Sequence, residues 1–212
     1  NGWTLDFAGQ VGDKIEDDLW RRDFRINAIA LKLEKEPKII DPTGGLDDLI
    51  NQRIVAISEK NLIDDPLRIL RGFRLMCELD FSLEKETKKF LKTNSSALNN
   101  VSPERIKMEI LKIINSNWGK SVWPTFLEIQ FLKEYQVQEK PFIPIGLQDD
   151  SINNFPKELS IGKPLARLIC LLNDQGLERL TFSKNQIKRC RKLRFWVCKI
   201  NKFGLEYLSE DE

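Results

Sequence analysis

Residues 21–28 read RRDFRINA, and this octapeptide is the most informative stretch of the 212-residue chain. Two adjacent guanidinium groups present planar forks that suit phosphate oxygens. The carboxylate of Asp23, which follows them, can accept hydrogen bonds from sugar hydroxyls. The stretch therefore fits a nucleotide site. A solvated, charged turn before a buried strand explains the same residues, because runs of charge usually face solvent.

A second cluster reads DPTGG at residues 41–45 and is followed by Asp47 and Asp48. Proline and glycine in this order predict a tight turn, with glycine at a position that needs a positive φ. We interpret this cluster mainly as a scaffold that holds the face carrying the octapeptide.

A third cluster, DDPLRILRGFR at residues 64–74, combines carboxylates with arginines at helical spacing. If a helix begins near Asp65, then Asp65 and Arg68 share one face and Arg71 lies near the same stripe. An acceptor beside a donor matches the base edges of cytosine and adenine and mismatches those of guanine and uracil. An ordinary ion pair near a helix start is the simpler interpretation of these residues alone.

Composition excludes several kinds of site. The chain has no histidine, which rules out Ser-His-Asp and Cys-His catalysis and histidine-ligated metals. Its 4 cysteines form no CxxC pair, which predicts reduced thiols and a cytoplasmic protein. A formal net charge of +2 is too small for general nucleic-acid binding, so any such surface must be local. No apolar run is long enough to cross a membrane, and no membrane partner is expected.

Hydrophobic periodicity predicts an α+β chain that is mostly α. Strands are predicted at 3–8, 29–33 and 38–40, the last two forming a hairpin. Helices are predicted at 16–20, 67–76, 84–91, 102–114, 118–135 and 165–173, in a pattern that is helical from residue 46 onward, with a connecting segment at 140–163. The chain opens on a strand with nothing before it to pair with, and residue 1 is not Met. We expect a fragment that lacks an N-terminal piece.

Three stretches, DLWRRDFRINAIA, IIDPTGGLDDL and LIDDPLRILRGFRL, resemble the class II tRNA nucleotidyltransferase and bacterial poly(A) polymerase family in order and spacing. The stretch LNNVSPERIKMEILKII matches in character, so the resemblance covers about residues 3–115. It implies the C-terminal part of a nucleotidyltransferase head with a small β-sheet at 1–58. A helical neck with a base template would follow at 59–115, and a helical body that binds tRNA at 116–212.

The resemblance implies template-independent addition of C, A or both, from CTP and ATP, to the 3′ end of tRNA. Arg22 and Asp23 would contact the triphosphate and ribose, and Asp65 and Arg68 would read the base. Arg71 would lie nearby and support the site or a phosphate. The expected nucleotide-binding set is Arg21, Arg22, Asp23, Asn27, Asp65, Arg68 and Arg71.

Members of this family carry a Gly-Gly-x-Val-Arg-Asp loop and an Asp-x-Asp strand that binds two Mg²⁺, and neither motif occurs in this chain. Mg²⁺ would be held by residues missing from the chain. The chain by itself should therefore not transfer nucleotides. Asp6, on the first predicted strand, is a candidate catalytic carboxylate, and a plain strand-edge Asp is its alternative. A poly(A) polymerase and a non-catalytic RNA-binding module are the alternative functions.

Residues 184–202 contain lysines and arginines but no Asp or Glu, with aromatic residues among them. On a helix this pattern gives a basic face, which fits contact with the phosphates of the tRNA acceptor arm. The candidate RNA-binding residues are Lys188, Arg189, Arg191, Lys192 and Arg194. A solvated surface of the last helix explains the pattern equally well.

Overall fold

A computed structural model describes residues 7, 9, 11–119, 122–130, 132–135 and 162–203. Asp6, the rest of the strand predicted at 3–8 except residue 7, and nearly all of the connecting segment predicted at 140–163 lie outside these residues. The described chain is mostly helical with a small antiparallel sheet, as the sequence predicts, and it contains a second small sheet.

The N-terminal part consists of short elements. They are helix α1 (Ile15–Trp20), a 3-10 turn (Arg25–Asn27), strands β1 (Ala30–Lys32) and β2 (Lys38–Ile40), and helix α2 (Gly45–Ile50). Strands β1 and β2 pair antiparallel around a loop that contains Pro37, which confirms the predicted hairpin. The helix predicted at 16–20 is confirmed by α1.

A second, parallel strand pair was not expected. Strand β3 (Arg53–Ile54) pairs with β4 (Ser82–Leu83), and helices α3 (Glu59–Asp64) and α4 (Leu67–Leu79) form the crossover between them. The prediction of helix throughout from residue 46 is therefore wrong at these positions. Two-residue strands carry no periodic pattern, and parallel pairing needs a long crossover that local sequence does not reveal.

The remaining helices pack around one core. They are α5 (Lys85–Thr93), α6 (Pro103–Asn115), α7 (Val122–Ile129), α8 (Lys163–Leu171), α9 (Asp174–Arg179) and α10 (Lys184–Phe203). Phe73 on α4 and Phe126 on α7 are buried with ring centroids 5.8 Å apart. The core therefore fixes α4, which carries the half-buried arginines of the third cluster.

Two predicted helix details need correction. The helix predicted at 118–135 is shorter, because Gln130 adopts φ 52° and ends α7. Pro103 is the first residue of α6, as expected, but the Ser102 side chain makes no capping hydrogen bond.

The turn before α2 is built by Asp41 and two glycines. The Asp41 carboxylate accepts backbone N–H groups of Gly44 at 3.0 Å, Gly45 at 2.8 Å and Leu46 at 2.9 Å. Gly44 has φ 82°, and a Cβ on Gly45 would lie 2.2 Å from the carbonyl oxygen of Arg25. The second cluster is therefore a scaffold whose glycines have steric reasons.

We expect the stabilising effect of Asp41 to depend on pH. Burial alone raises the pKa of Asp41, but the N–H donors of Leu46, Gly45 and Gly44 outweigh it and lower the pKa below its ordinary value. The charged form thus contributes stability that is present above the unfolded pKa of about 3.9 and is lost as pH falls through the folded pKa.

The measurement is thermal unfolding of the parent and of Asp41→Asn at several pH values. The variant should melt at a lower temperature near neutral pH, and the difference should shrink as pH falls below about 4. A difference that is constant with pH would contradict this role for the carboxylate.

Candidate functional site

An open polar cavity of about 330 Å³ lies between the end of α1 and the first turns of α4. It is lined by Val11, Asp18, Arg21, Arg22, Asp23, Asn27, Arg68 and Arg71. The fold therefore brings together 6 of the 7 residues in the expected nucleotide-binding set. Asp65 is not among the lining residues.

Phe24 explains why the octapeptide and α4 meet. This side chain is fully buried, and its backbone forms an antiparallel bridge to Ala56. A Cβ on Gly72 would lie 2.6 Å from Phe24 Cζ, so only glycine lets the ring rest directly against α4. Asp23 and Arg71 are the residues immediately before Phe24 and Gly72, and this packing sets them side by side.

Asp23 is the buried centre of the cavity wall, with 3% of its surface exposed. Its Oδ1 accepts hydrogen bonds from the backbone N–H of Phe24 at 2.9 Å and from Asn27 Nδ2 at 3.2 Å. Its Oδ2 lies 3.0 Å from Arg71 Nε. The carboxylate thus orients Asn27 and Arg71, and its contact with a ribose stays a prediction.

The arginines give the cavity an excess of positive charge, because it is lined by 4 arginines and 2 aspartates. Arg22, whose side chain is half exposed, pairs with Asp18 at 2.9 Å. Arg68 donates from Nη1 to the backbone carbonyls of Arg21 and Asn61, both at 2.9 Å. Fixed guanidinium groups around a polar space form a site suited to a polyanion.

Asp65 lies at the junction between α3 and α4 and contacts a different partner from the one expected. Both of its carboxylate oxygens accept from Arg105 Nη2 at 3.1 Å. Helix α4 begins at Leu67, two residues after Asp65, and the backbone N–H of Arg68 donates to the Asp65 carbonyl at 2.9 Å. The hydrogen bonds of the two side chains go to other groups, and base reading by this pair stays a prediction.

The basic residues of α10 fall into two groups. Arg191 pairs with Asp174 at 2.6 Å and with Glu178 at 2.9 Å, and Arg194 also pairs with Asp174. Lys188, Arg189 and Lys192 are exposed. The sequence interpretation missed these ion pairs because the acids lie on α9, outside the basic stretch.

Sequence reasoning also missed a lysine stripe on α5. Lys85, Lys88, Lys89 and Lys92 recur at helical spacing and line an open groove of about 830 Å³. Lys88 pairs with Glu128 across this groove. The spacing of these lysines in the sequence was the signal that could have revealed the stripe.

The cysteines, the possible metal ligands and the helices of the described residues bear on the predictions made from composition. All four cysteines, Cys77, Cys170, Cys190 and Cys198, are free thiols, and burial raises the pKa of Cys170 to about 12. No group of three or more His, Cys, Asp or Glu side chains within the described residues could hold a metal ion. No helix in the described ranges is both long and apolar enough to cross a membrane.

Two family models match parts of the chain. The model described as "Poly A polymerase head domain" matches residues 6–55, which include the octapeptide and the turn at Asp41. The model described as "Probable RNA and SrmB- binding site of polymerase A" matches residues 80–130, which include the lysine stripe.

Similar proteins agree with these models. The chain is 29% identical over 208 residues to a CC-adding tRNA nucleotidyltransferase from Synechocystis sp., covering 87% of this chain and 49% of the relative. It is 34% identical over 194 residues to the CC-adding tRNA nucleotidyltransferase of Halalkalibacterium halodurans, covering 88% and 48% of the two chains. The chain thus spans about half the length of these curated relatives.

A solved structure of a tRNA-processing enzyme with CTP superposes with a TM-score of 0.70 and 25% identity, covering 89% of this chain and 57% of the other. The chain belongs to the tRNA nucleotidyltransferase and bacterial poly(A) polymerase family.

Proposed function

We propose that the cavity binds a nucleoside triphosphate and that the whole protein adds C, A or both to the 3′ end of tRNA. The observation that carries the proposal is the convergence of four arginines on one polar cavity beside a buried aspartate that pairs with Arg71. Relatives named for CC addition, and a similar enzyme solved with CTP, support tRNA end addition over poly(A) synthesis or a non-catalytic module.

The residues have distinct proposed roles. Arg21, Arg22 and Arg71 bind the triphosphate, because their guanidinium groups line the cavity at different points of its wall. Asp23 fixes Arg71 and accepts from the ribose, and Asn27 lies beside it.

Base selection is assigned to Arg68 and Asp65. The Arg68 side chain makes its two hydrogen bonds to the described residues through Nη1, so Nη2 can donate into the cavity that Arg68 lines. A carboxylate offers more lone pairs than Arg105 uses, so Asp65 can accept from an exocyclic amino group while it stays paired. Cytosine and adenine present that amino group beside an acceptor, whereas guanine and uracil do not.

The described residues do not fit a two-metal site. The two carboxylates that line the cavity, Asp18 and Asp23, are engaged by Arg22 and Arg71, and no group of three ligands lies in the described ranges. We propose that Mg²⁺ is held by carboxylates other than these. Asp6, outside the described residues, stays a candidate.

We also propose the division into a partial head at 1–58, a neck at 59–115 and a body at 116–212. The head model, which matches 6–55, supports the first boundary. The match of an RNA-binding model at 80–130 extends the proposed RNA surface into the neck. A cytoplasmic location is part of the proposal, supported by four free thiols.

The nucleotide site is tested with Arg22→Ala and a matched control. Arg22 and Arg53 are both half exposed and both pair with an Asp, at 2.9 Å and 3.0 Å, but only Arg22 lines the cavity. Loss of a charge-assisted hydrogen bond should weaken CTP and tripolyphosphate binding about tenfold or more in Arg22→Ala. Arg53→Ala should bind both as the parent does.

Calorimetric titration of the folded proteins measures both affinities. Equal affinities for the parent and Arg22→Ala would show that the cavity is not the triphosphate site. A parent chain that binds neither compound would contradict the proposal as a whole.

The RNA surface on α10 yields a second prediction. Lys192 is exposed, whereas Arg191 is held by Asp174 and Glu178. Neutralising Lys192 should therefore weaken tRNA binding more than neutralising Arg191, because a guanidinium in an ion pair releases fewer counterions on contact with phosphate.

Filter binding of tRNA against salt compares Lys192→Gln with Arg191→Gln. We expect Lys192→Gln to reduce the slope of log affinity against log salt by about 1, and Arg191→Gln to change it less. An unchanged slope in Lys192→Gln would remove this residue from the RNA surface.

A further inference from the structure

Three successive backbone carbonyls at the end of α1 are held by two side chains. Helix α1 ends at Trp20, and carbonyls at a helix C-terminus have no partner within the helix. Asn61 Nδ2 donates to the carbonyl of Trp20 at 2.8 Å and to that of Arg22 at 2.7 Å. Arg68 Nη1 donates to the carbonyl between them, that of Arg21, at 2.9 Å.

Asn61 also holds Arg68. The residue lies in α3 with 9% of its surface exposed, and its backbone N–H donates to Ser58 Oγ at 3.1 Å. Its carbonyl accepts from Arg68 Nη1 at 2.9 Å. Asn61 is therefore bonded to the turn that carries Arg21 and Arg22 and to the arginine on α4, yet it does not line the cavity.

We propose that Asn61 is the positioning residue of this site. Its side-chain amide fixes the turn from which Arg21 and Arg22 reach the cavity, and its carbonyl fixes Arg68, so that all three guanidinium groups keep one arrangement. An asparagine is required because both acceptors are carbonyl oxygens and an amide offers two N–H donors, whereas an aspartate of the same shape offers none.

The hydrogen bonds of Asn61 support its positioning of the turn. The effect of Asn61 on nucleotide binding rests in addition on the proposed function. Asn61→Ala removes both donors, and Asn94→Ala is the matched control. Asn94 Nδ2 likewise donates to two acceptors, Glu59 Oε1 at 2.7 Å and the carbonyl of Phe90 at 3.0 Å, and Asn94 is not among the residues that line the cavity.

Hydrogen exchange of the unliganded chain is the first measurement. Backbone amides at 21–25 should exchange about tenfold faster in Asn61→Ala than in the parent, since two hydrogen bonds to the turn are lost. In Asn94→Ala they should exchange as in the parent. Unchanged exchange at 21–25 in Asn61→Ala would overturn the proposal.

CTP and GTP titrations are the second measurement. Asn61→Ala keeps the backbone carbonyl that accepts from Arg68, but it frees the turn, which carries Arg21 and Arg22 and whose Arg21 carbonyl also accepts from Arg68. The variant should therefore bind CTP about tenfold more weakly and prefer CTP over GTP less. Faster exchange with unchanged CTP affinity and preference would overturn the positioning role. A parent that binds no nucleotide would contradict the proposed function while the exchange result still decides whether Asn61 holds the turn.

A measurement on the parent protein tests the proposal even if Asn61→Ala does not fold. The two side-chain amide protons of Asn61 should exchange slowly in NMR spectra, because this buried side chain donates both to backbone carbonyls. Rapid exchange of these protons would overturn the proposal.

Discussion

Gly72→Val is expected to lower the free energy of unfolding by about 2–3 kcal/mol and to weaken CTP binding, because overpacking a filled core forces side chains and backbone apart. A Cβ at this position would lie 2.6 Å from Phe24 Cζ and 3.3 Å from a methyl group of Leu91. Phe24 and Leu91 are both fully buried, so neither ring nor methyl group has free space to enter.

The effect on binding follows from chain connectivity. The backbone N–H of Phe24 donates to Asp23 Oδ1, and Asp23 Oδ2 lies beside Arg71 Nε. A shift of the Phe24 ring therefore moves the carboxylate that orients Arg71 in the cavity.

Denaturant unfolding and CTP titration of Gly72→Val and Gly9→Val measure both effects. A Cβ on Gly9 meets nothing within 4 Å, so Gly9→Val should keep the stability and affinity of the parent. If Gly72→Val were as stable as Gly9→Val, the close packing of Phe24 against α4 would not exist in solution.

Local elements of the fold could be predicted because their signals are local. Helix α1, the hairpin around Pro37 and the start of α6 at Pro103 follow from charge, turn residues and proline position. The turn at Asp41 was also recognisable from its glycines, of which Gly44 has a positive φ and Gly45 has no space for a Cβ. In contrast, β3 and β4 could not be predicted, because each has two residues and their pairing spans a crossover.

The sequence predicted most of the residues that line the candidate site, but it did not predict which side chains pair with one another. The family resemblance selected residues that do line one cavity, but sequence spacing placed Asp65 beside Arg68, whereas Arg105, 40 residues away, bonds to it. The pairs of Arg191 with α9 and the bonds of Asn61 to the end of α1 are likewise contacts between distant segments. Such contacts depend on how helices pack, and short-range periodicity carries no information about them.

Arg68→Ala is expected to reduce discrimination among nucleotides more than it reduces affinity for the triphosphate. Arg68 lies on α4 and lines the cavity, and its Nη1 donates to two backbone carbonyls. This arrangement leaves Nη2 to donate to the edge of a base. A base contact of this kind contributes about 1–3 kcal/mol of discrimination, which corresponds to about tenfold or more. Tripolyphosphate has no base, so its binding reports only the loss of charge and the loosening of the turn at Arg21.

The comparison is therefore made within each protein. The ratio of CTP to GTP affinity should fall toward about one in Arg68→Ala, whereas tripolyphosphate affinity should fall less than CTP affinity. An equal loss for every nucleotide and for tripolyphosphate would assign Arg68 to the phosphates and would remove it from base selection.

The most direct test of a nucleotide site that selects its base is titration of the unmodified chain with CTP, ATP, GTP and UTP under identical conditions. CTP and ATP should bind about tenfold or more tightly than GTP and UTP, because the wrong base edges leave polar groups unpaired. Equal affinity for all four, preference for GTP or UTP, or no binding of any of them would contradict the assignment.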